Sequence, residues 1–259
     1  MRLAALDHLE TAPPNQLWPL IAPLLDDPVR GVRIQTALLL AGTPSQGLSE
    51  RDRTRLAKAE KEFVAAQMLN ADRPESRALL ARYYARKGEV AKAEAEYRAA
   101  LRLSPHFAPA AVNLADLYRQ SGRDQDGVAV LREALELSPD DGGLHYALGL
   151  ALVRLKKPDE AVEELRMAAA LEPGRARYAY VYAVGLESTG KRAEAIAVLE
   201  ESLQRHPGDR DTLLALINFS RAAGDPAAAL RYAEKLAAIE PDNEGLKRMI
   251  ATLKEELGG

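Results

Sequence analysis

Cysteine is absent from the 259 residues of this chain, and aromatic residues make up only 5% of it. The missing thiols exclude disulfide bonds, cysteine-ligated zinc, iron–sulfur clusters and thiol nucleophiles. Alanine and leucine dominate the apolar residues instead. Alanine-rich cores are typical of closely packed helices, whereas sheets favour β-branched and aromatic side chains. The composition therefore predicts an all-α protein.

An excess of charge is also missing, because 35 Lys and Arg residues balance 38 Asp and Glu residues and leave a formal net charge of −3. General nucleic-acid binding needs a basic surface, so we expect no nucleic-acid partner. No apolar run approaches the roughly 20 residues that cross a bilayer. The first residues, MRLAALDHLE, lack the apolar stretch of a signal peptide. We therefore expect a soluble protein with no membrane span.

A period of 34 residues organises most of the chain. It divides residues 74–243 into five blocks, 74–107, 108–141, 142–175, 176–209 and 210–243, and is marked by Pro105, Pro139, Pro173, Pro207 and Pro241. The eighth position of a block is small in four of the five blocks, and the twentieth is small in all. The fifteenth position is glycine except for Lys156. Small residues let two helices approach closely, glycine ends the first helix, and proline ends the second.

These columns resemble the tetratricopeptide repeat over residues 74–243. The resemblance implies a right-handed α-α superhelix, a solenoid of helix pairs. Residues 244–259 then predict a capping helix, whose polar outer face closes the last apolar surface. The aromatic residue that is usual at the fourth position is missing, and its place is taken by Arg77, Ala111, His145, Ala179 and Leu213. We expect Pro158 to tighten the turn in which Lys156 replaces glycine.

The residues before the repeats follow another pattern. Residues 48–73 predict the second helix of a half repeat, and Ser49 with Asp52 gives its start signal. Residues 1–47 resemble a HEAT-like segment, because residues 2–10 overlay on 33–41 and a string of Asp, Asp, Pro and Val precedes the latter. An irregular helical cap is the alternative. Pro23 is expected to kink the helix around residues 18–25.

A pattern that begins inside a repeat predicts that the chain is part of a longer protein. The strings NADRPES, AAVNLADLYRQSGR, YAYVYAVGLESTG and RHPGDRDTLLAL resemble the C-terminal part of bacterial multihaem cytochrome c-like proteins with HEAT and tetratricopeptide repeats. That resemblance implies a periplasmic protein, and otherwise we expect a cytoplasmic one. The chain has no C-x-x-C-H haem attachment motif. We therefore expect no cofactor in it.

Residues that could carry catalysis lack the necessary spacing. The histidines His8, His106, His145 and His206 do not form a metal-ligand pair on one helix. Paired carboxylates, such as residues 163–164 and 255–256, are typical of solvated helix faces. No phosphate loop or nucleophile elbow is present. We expect no catalytic residue, no metal and no enzymatic activity.

The tetratricopeptide resemblance implies that the first helix of each pair lines a concave groove that binds extended peptides or helices. The candidate groove residues are Arg82, Arg86, Asn113, Asp116, Arg119, Gln120, Tyr146, Arg154, Arg177, Tyr180, Glu187, Asn218 and Arg221. Arginine pairs with carboxylates, and amides bond to peptide backbones. The partner predicted by these side chains is a protein or peptide with acidic or C-terminal carboxylate groups.

Several alternatives remain open at this point. The candidate residues fit ordinary solvated faces as well. Only Asn113 matches the carboxylate clamp that holds chaperone C-termini, so that clamp is disfavoured. Tyr178 and Tyr182 are assigned to the core rather than to the groove. The chain is predicted to be an interaction scaffold, an accessory docking module of a redox protein, or a self-association module that uses its N-terminal edge.

Overall fold

The computed structural model describes residues 5, 6, 9, 13–44 and 46–258. Within these residues every regular element is a helix: there are fourteen α-helices, one short 3-10 helix and no strand. The all-α prediction is therefore confirmed. The overlay of residues 2–10 on 33–41 falls largely outside the described residues, and so does His8.

The helices before the repeats are irregular in length. Helix α1 (Pro14–Ile21) passes directly into a short 3-10 helix (Ala22–Asp26), and α2 (Arg30–Leu40) and α3 (Glu50–Leu69) follow. The change from α to 3-10 geometry occurs beside Pro23, which has no backbone N–H to continue the α-helical bonds. The predicted start of α3 is confirmed, because Ser49 Oγ accepts a hydrogen bond from the backbone N–H of Asp52.

Ten helices of similar length follow, and a last helix ends the described chain. The helices α4 to α14 are, in order, Pro74–Arg86, Val90–Leu103, Ala108–Gln120, Asp124–Leu137, Gly142–Arg154, Pro158–Leu171, Ala176–Ser188, Arg192–Arg205, Arg210–Ala222, Pro226–Ile239 and Glu244–Gly258. The second helix of each 34-residue block ends two residues before the block's proline. Proline disfavours helical geometry in the residue before it, which explains these ends.

The chain forms two compact units, residues 1–130 and 131–259. The core of the first unit includes Leu38, Phe63 and Leu80, all buried. The core of the second unit includes Leu199 and Leu216, which are fully buried. In each unit, removing these apolar side chains from water is the main driving force for folding.

The small-residue columns are explained by close helix contacts. A Cβ atom added to Gly149, at the eighth position, would lie 2.7 Å from Leu165 Cγ. One added to Gly127, at the twentieth position, would lie 3.2 Å from the carbonyl oxygen of Ala115. Larger side chains at these positions would push the helices apart.

The turns within the helix pairs share one left-handed conformation. Gly88, Gly122, Gly190 and Gly224 have φ between +69° and +82°, and Lys156 has φ +58°. In each turn, the residue that follows the left-handed one donates its backbone N–H to the carbonyl oxygen five residues earlier in the chain. The bond from Lys157 N to Leu152 O, at 3.0 Å, is one example. This is the Schellman hydrogen bond that ends α-helices. Lys156 therefore keeps the geometry of the glycine turns, and Pro158 begins the next helix.

Candidate functional site

The thirteen residues predicted from the sequence all lie on the first helices of the pairs, α4, α6, α8, α10 and α12. In the first unit, α4 and α6 line a concave site of about 490 Å³. Five of the predicted residues line this site, together with Ala85, Tyr97 and Leu117; they are Arg82, Arg86, Asn113, Asp116 and Gln120. Along each helix these residues are separated by three or four positions, which places them on one face.

Charge in the first-unit site is arranged around Asp116. Its Oδ1 accepts a hydrogen bond from Arg119 Nε at 2.6 Å, and its Oδ2 accepts one from Gln120 Nε2 at 2.6 Å. Arg119 does not line the site, but its guanidinium neutralises the carboxylate of Asp116. Arg86 Nη1 donates to the carbonyl oxygen of Leu39 at 3.1 Å, which ties this guanidinium to the end of α2. With Arg82, the site is cationic on balance.

Tyr97, on α5, is a site residue that the sequence analysis missed. It occupies the twenty-fourth position of its block, where the later blocks have Leu131, Leu165, Leu199 and Ala233. The residue is only 3% exposed, yet it lines the site. Burial raises the pKa of Tyr97 to about 12, with Arg82 lowering it and Asp116 raising it. A tyrosine in an otherwise aliphatic column was the signal available in the sequence.

In the second unit one of the two predicted tyrosines, Tyr146, packs against another aromatic ring. The ring of Tyr146 stacks on that of Tyr178, with centroids 4.5 Å apart and an interplanar angle of 18°. The guanidinium of Arg175 lies 5.5 Å from the centre of the Tyr178 ring, and that of Arg177 lies 5.3 Å from the Tyr180 ring. Tyr178 is buried, as expected of a core residue, but it also supports a predicted groove residue.

The remaining predicted residues are distributed more widely. Glu187 forms an ion pair with Arg192 at 2.6 Å, and Arg154 is exposed at the end of α8. Asn218 and Arg221 line a second concave site of about 510 Å³ within the second unit. Glu256, on α14, also lines it. Glu256 is exposed, as expected for a solvated helix face, and only its place beside α12 adds it to this site.

Two features are absent from the residues that the structure describes. No group of three or more His, Cys, Asp or Glu residues there is arranged to hold a metal ion. In the same part of the chain, no helix is both long enough and apolar enough to cross a membrane.

Comparisons with solved structures identify similar folds. YrrB, a TPR protein with an unusual peptide-binding site, is 22% identical, with 74% of this chain and 97% of YrrB covered and a TM-score of 0.55. The type IV pilus biogenesis factor PilW is 20% identical, with 86% of this chain and 99% of PilW covered and a TM-score of 0.59. PilF of Pseudomonas aeruginosa is 22% identical, with 88% of this chain and 97% of PilF covered and a TM-score of 0.53. These similarities concern the fold.

Sequence comparisons agree with the fold. No curated protein sequence matches this chain significantly. Models of the tetratricopeptide repeat match residues 45–108, 112–176 and 188–253, which together span more than half of the chain. The protein therefore belongs to the tetratricopeptide repeat family.

Proposed function

We propose that this chain is an interaction scaffold that binds a peptide or a partner segment on the faces of its first helices. Tetratricopeptide repeat proteins are generally protein–protein interaction scaffolds. The observation that carries the proposal is the concave site between α4 and α6, where cationic, amide and phenol groups meet. YrrB, a relative in fold, is described as having a peptide-binding site, which supports the same class of ligand.

The side chains of the first-unit site suit an acidic ligand. Guanidinium groups pair with carboxylates in a planar, two-pronged geometry. The amide of Asn113, which is exposed, can both donate to and accept from a peptide backbone. Because Arg119 and Gln120 occupy both oxygens of Asp116, the main anionic group of the site is already paired. The proposal assigns binding, and not catalysis, to this chain.

The second unit offers a different contact surface. The half-buried rings of Tyr146, which stacks on buried Tyr178, and of Tyr180 give flat contact area, and aromatic residues are enriched at binding interfaces. Arg177 and Arg221 add positive charge on first helices of the same unit. We propose that this unit contacts further residues of the same partner class.

Affinity capture with the full chain as bait, followed by identification of the bound protein, tests the proposal. The Arg119→Glu variant should then weaken binding of that partner by about tenfold or more, because it removes one of the two partners of Asp116 and adds a negative charge. Arg102→Glu is the matched control, since Arg102 is exposed on the second helix α5. Helicity and melting temperature should be unchanged in both variants. Unchanged partner affinity in Arg119→Glu would contradict the proposal.

Self-association through the N-terminal edge is a second candidate function. Leu20 is 68% exposed, and Leu69, at the end of α3, is 81% exposed. Exposed apolar side chains favour contacts with other proteins when they are close together. Light scattering over a concentration series tests this function, and a monomer at every concentration would exclude it.

A third candidate is the accessory docking module of a larger multihaem redox protein, with residues 1–47 as a HEAT-like segment. The string that suggested this segment forms a local network. Asp27 Oδ1 accepts from the backbone N–H of Val29 at 2.8 Å, and Arg33 Nη1 donates to Asp27 O at 2.8 Å. The proposed divisions are residues 1–47, 48–73, 74–243 and 244–259. Reading the coding sequence upstream of residue 1 tests the redox role, which requires C-x-x-C-H motifs there.

A further inference from the structure

Helix α3 has an excess of positive charge on its surface that its own sequence does not show. Residues 50–69 contain five Lys and Arg residues and four Asp and Glu residues, so the segment is nearly neutral. Three of the acids form ion pairs of 2.8 to 2.9 Å in the fold: Glu60 with Lys87, Glu62 with Arg33, and Asp52 with Arg55. The charged residues of α3 that form no ion pair with any described residue are then Glu50, Arg51, Arg53, Lys58 and Lys61. Packing therefore neutralises the acids of α3 and leaves its cations in excess.

Three of these cations share one exposed face of α3 with apolar side chains. The residues of this face follow one another at intervals of three, four or seven positions, which places them on one side of a helix. This surface, called the α3 face below, consists of Arg51, Lys58, Lys61, Ala65, Met68 and Leu69, all of them exposed. Leu69 is 81% exposed and Met68 is 49% exposed. A helix of 20 residues is about 30 Å long, so the α3 face is cationic over most of its length and apolar at its C-terminal end.

The only tryptophan of the chain lies beside the N-terminal end of the α3 face. Trp18 and Pro19, on α1, line a concave site of about 590 Å³ together with Arg51. Trp18 is half-buried, and Leu20, also on α1, is 68% exposed. Tryptophan is enriched where water meets a membrane, because its ring is apolar and its N–H group is polar. The cations of the α3 face are therefore flanked at both ends by side chains that suit such a boundary.

The combination of charge and projecting apolar groups indicates the chemistry of the partner. Nucleic acid would match the cations, but its backbone offers Leu69 and Met68 no apolar layer to enter. A protein would need a pocket for each projecting side chain. A bilayer with anionic lipids has negative charge at its surface and an apolar layer directly below it, so it matches both features of the α3 face.

We propose that the α3 face binds the surface of a lipid bilayer that contains anionic headgroups. Its cations contact the headgroup phosphates, and Leu69 and Met68 enter the boundary between headgroups and acyl chains. The attachment is peripheral, since no helix in the described part of the chain is suited to crossing a membrane. No residue of the α3 face lines the concave site between α4 and α6, so this inference does not depend on the proposed scaffold function.

Sedimentation of the full chain with lipid vesicles tests the proposal. Vesicles of phosphatidylglycerol and phosphatidylcholine in equal parts present an anionic surface, and vesicles of phosphatidylcholine alone present a neutral one. At about 0.1 M salt we expect the chain to bind the anionic vesicles at least about tenfold more tightly than the neutral ones. This preference should become severalfold smaller at about 1 M salt, where the Debye length is about 3 Å. Equal binding to both kinds of vesicle, or no binding to the anionic ones, would overturn the proposal.

A double variant locates the binding on the α3 face. Lys58→Gln with Lys61→Gln removes two cations and keeps residues that favour a helix, so the fold should be unchanged in circular dichroism. It should bind the anionic vesicles about tenfold more weakly, because each cation near an anionic surface increases binding severalfold. Arg231→Gln with Lys235→Gln is the matched control, since it removes two exposed cations from α13 in the second unit and should bind like the wild type. An equal loss in both double variants, or no loss in the first, would contradict the proposal.

The apolar end of the face distinguishes a bilayer from other anionic partners. Leu69→Ser should weaken binding to the anionic vesicles about fivefold, because a leucine side chain no longer leaves water. A DNA duplex that binds more tightly than these vesicles, with no effect of Leu69→Ser, would assign the α3 face to a nucleic acid and overturn the lipid proposal. Light scattering covers a second copy of the chain: association that Lys58→Gln with Lys61→Gln abolishes, in the absence of vesicle binding, would also overturn it.

Discussion

His145 Nδ1 lies 2.6 Å from Glu164 Oε2, and this contact joins the fourth position of a helix pair to the twenty-third. In the first pair, Arg77 Nη1 lies 2.8 Å from Glu96 Oε2 at the same two positions. The other three blocks have apolar or aromatic residues at both positions, namely Ala111 with Val130, Ala179 with Val198, and Leu213 with Tyr232. Polar residues thus occur together in these columns, in place of the aromatic residue usual at the fourth position.

The His145–Glu164 pair should show energetic coupling. Glu164→Val alone should lower the free energy of unfolding by about 1 kcal/mol, because it removes a partner of the partly buried imidazole. Adding His145→Ala reproduces the Ala179 and Val198 combination of the next block and should recover most of that loss. Urea unfolding of the two single variants and the double variant measures the coupling. If the losses of unfolding free energy in the two single variants simply add up in the double variant, the residues at the fourth and twenty-third positions are not coupled.

Lys156 should cost stability because it occupies a left-handed conformation. Left-handed geometry costs L-residues about 1–2 kcal/mol, part of which is offset by the greater flexibility of glycine in the unfolded chain. Lys156→Gly should therefore raise the free energy of unfolding by about 0.5–1 kcal/mol. Gly190→Lys is the matched reverse change, since a Cβ at Gly190 would meet nothing within 4 Å. Chemical unfolding should show opposite signs for the two variants, and equal signs would reject this explanation.

Replacing Ser202 by alanine should stabilise the protein. Its Oγ is buried and has no hydrogen-bond partner among the described residues, whereas the first three blocks have Ala100, Ala134 and Ala168 at this position. Ser202→Ala should raise the free energy of unfolding by about 1 kcal/mol, because it removes a buried, unpaired hydroxyl and improves helix propensity. Ala168→Ser should lower it by a similar amount. Thermal unfolding of both variants provides the measurement, and a destabilised Ser202→Ala would contradict the prediction.

Glu94 should make the stability of the first unit depend on pH. Burial alone raises the pKa of Glu94, but hydrogen bonds from Tyr118, Arg123 and Arg98 outweigh it and lower the pKa. The folded state then releases its proton more readily than the unfolded state, so the stabilisation is present above the unfolded pKa of about 4.3. It is lost as the pH falls through the lower pKa of the folded state.

The Glu94→Gln variant tests this contribution. It should be less stable than the wild type at pH 7, and the difference should shrink as the pH falls below about 4. Glu133→Gln is the control, because Glu133 is an exposed helix residue for which no ion pair is found in the described structure. Urea unfolding at a series of pH values measures both variants. A difference for Glu94→Gln that stays constant over this range would show that the carboxylate charge is not responsible.

Local chemistry explains what the sequence alone determined. Proline disfavours helical geometry in the residue before it, and glycine accepts left-handed geometry, so Pro105 and Gly88 mark helix ends in any tertiary context. Ser49 bonds to a backbone group three residues away and marks the start of α3 in the same way. Repeated small residues further indicated that the helices pack closely. These signals depend on neighbours in sequence, and they were sufficient for the helical fold.

Only the tertiary structure decided which side chains surround each concave site. Tyr97 comes from a second helix, and Glu256 comes from the last helix, so neither belongs to the predicted face. Tyr178 contacts a predicted groove residue because Tyr146, from the preceding pair, lies against its ring. In each case the deciding contact is made between different helices, and its geometry depends on packing distances and side-chain rotamers. A repeat pattern contains the positions of the helices but not those distances.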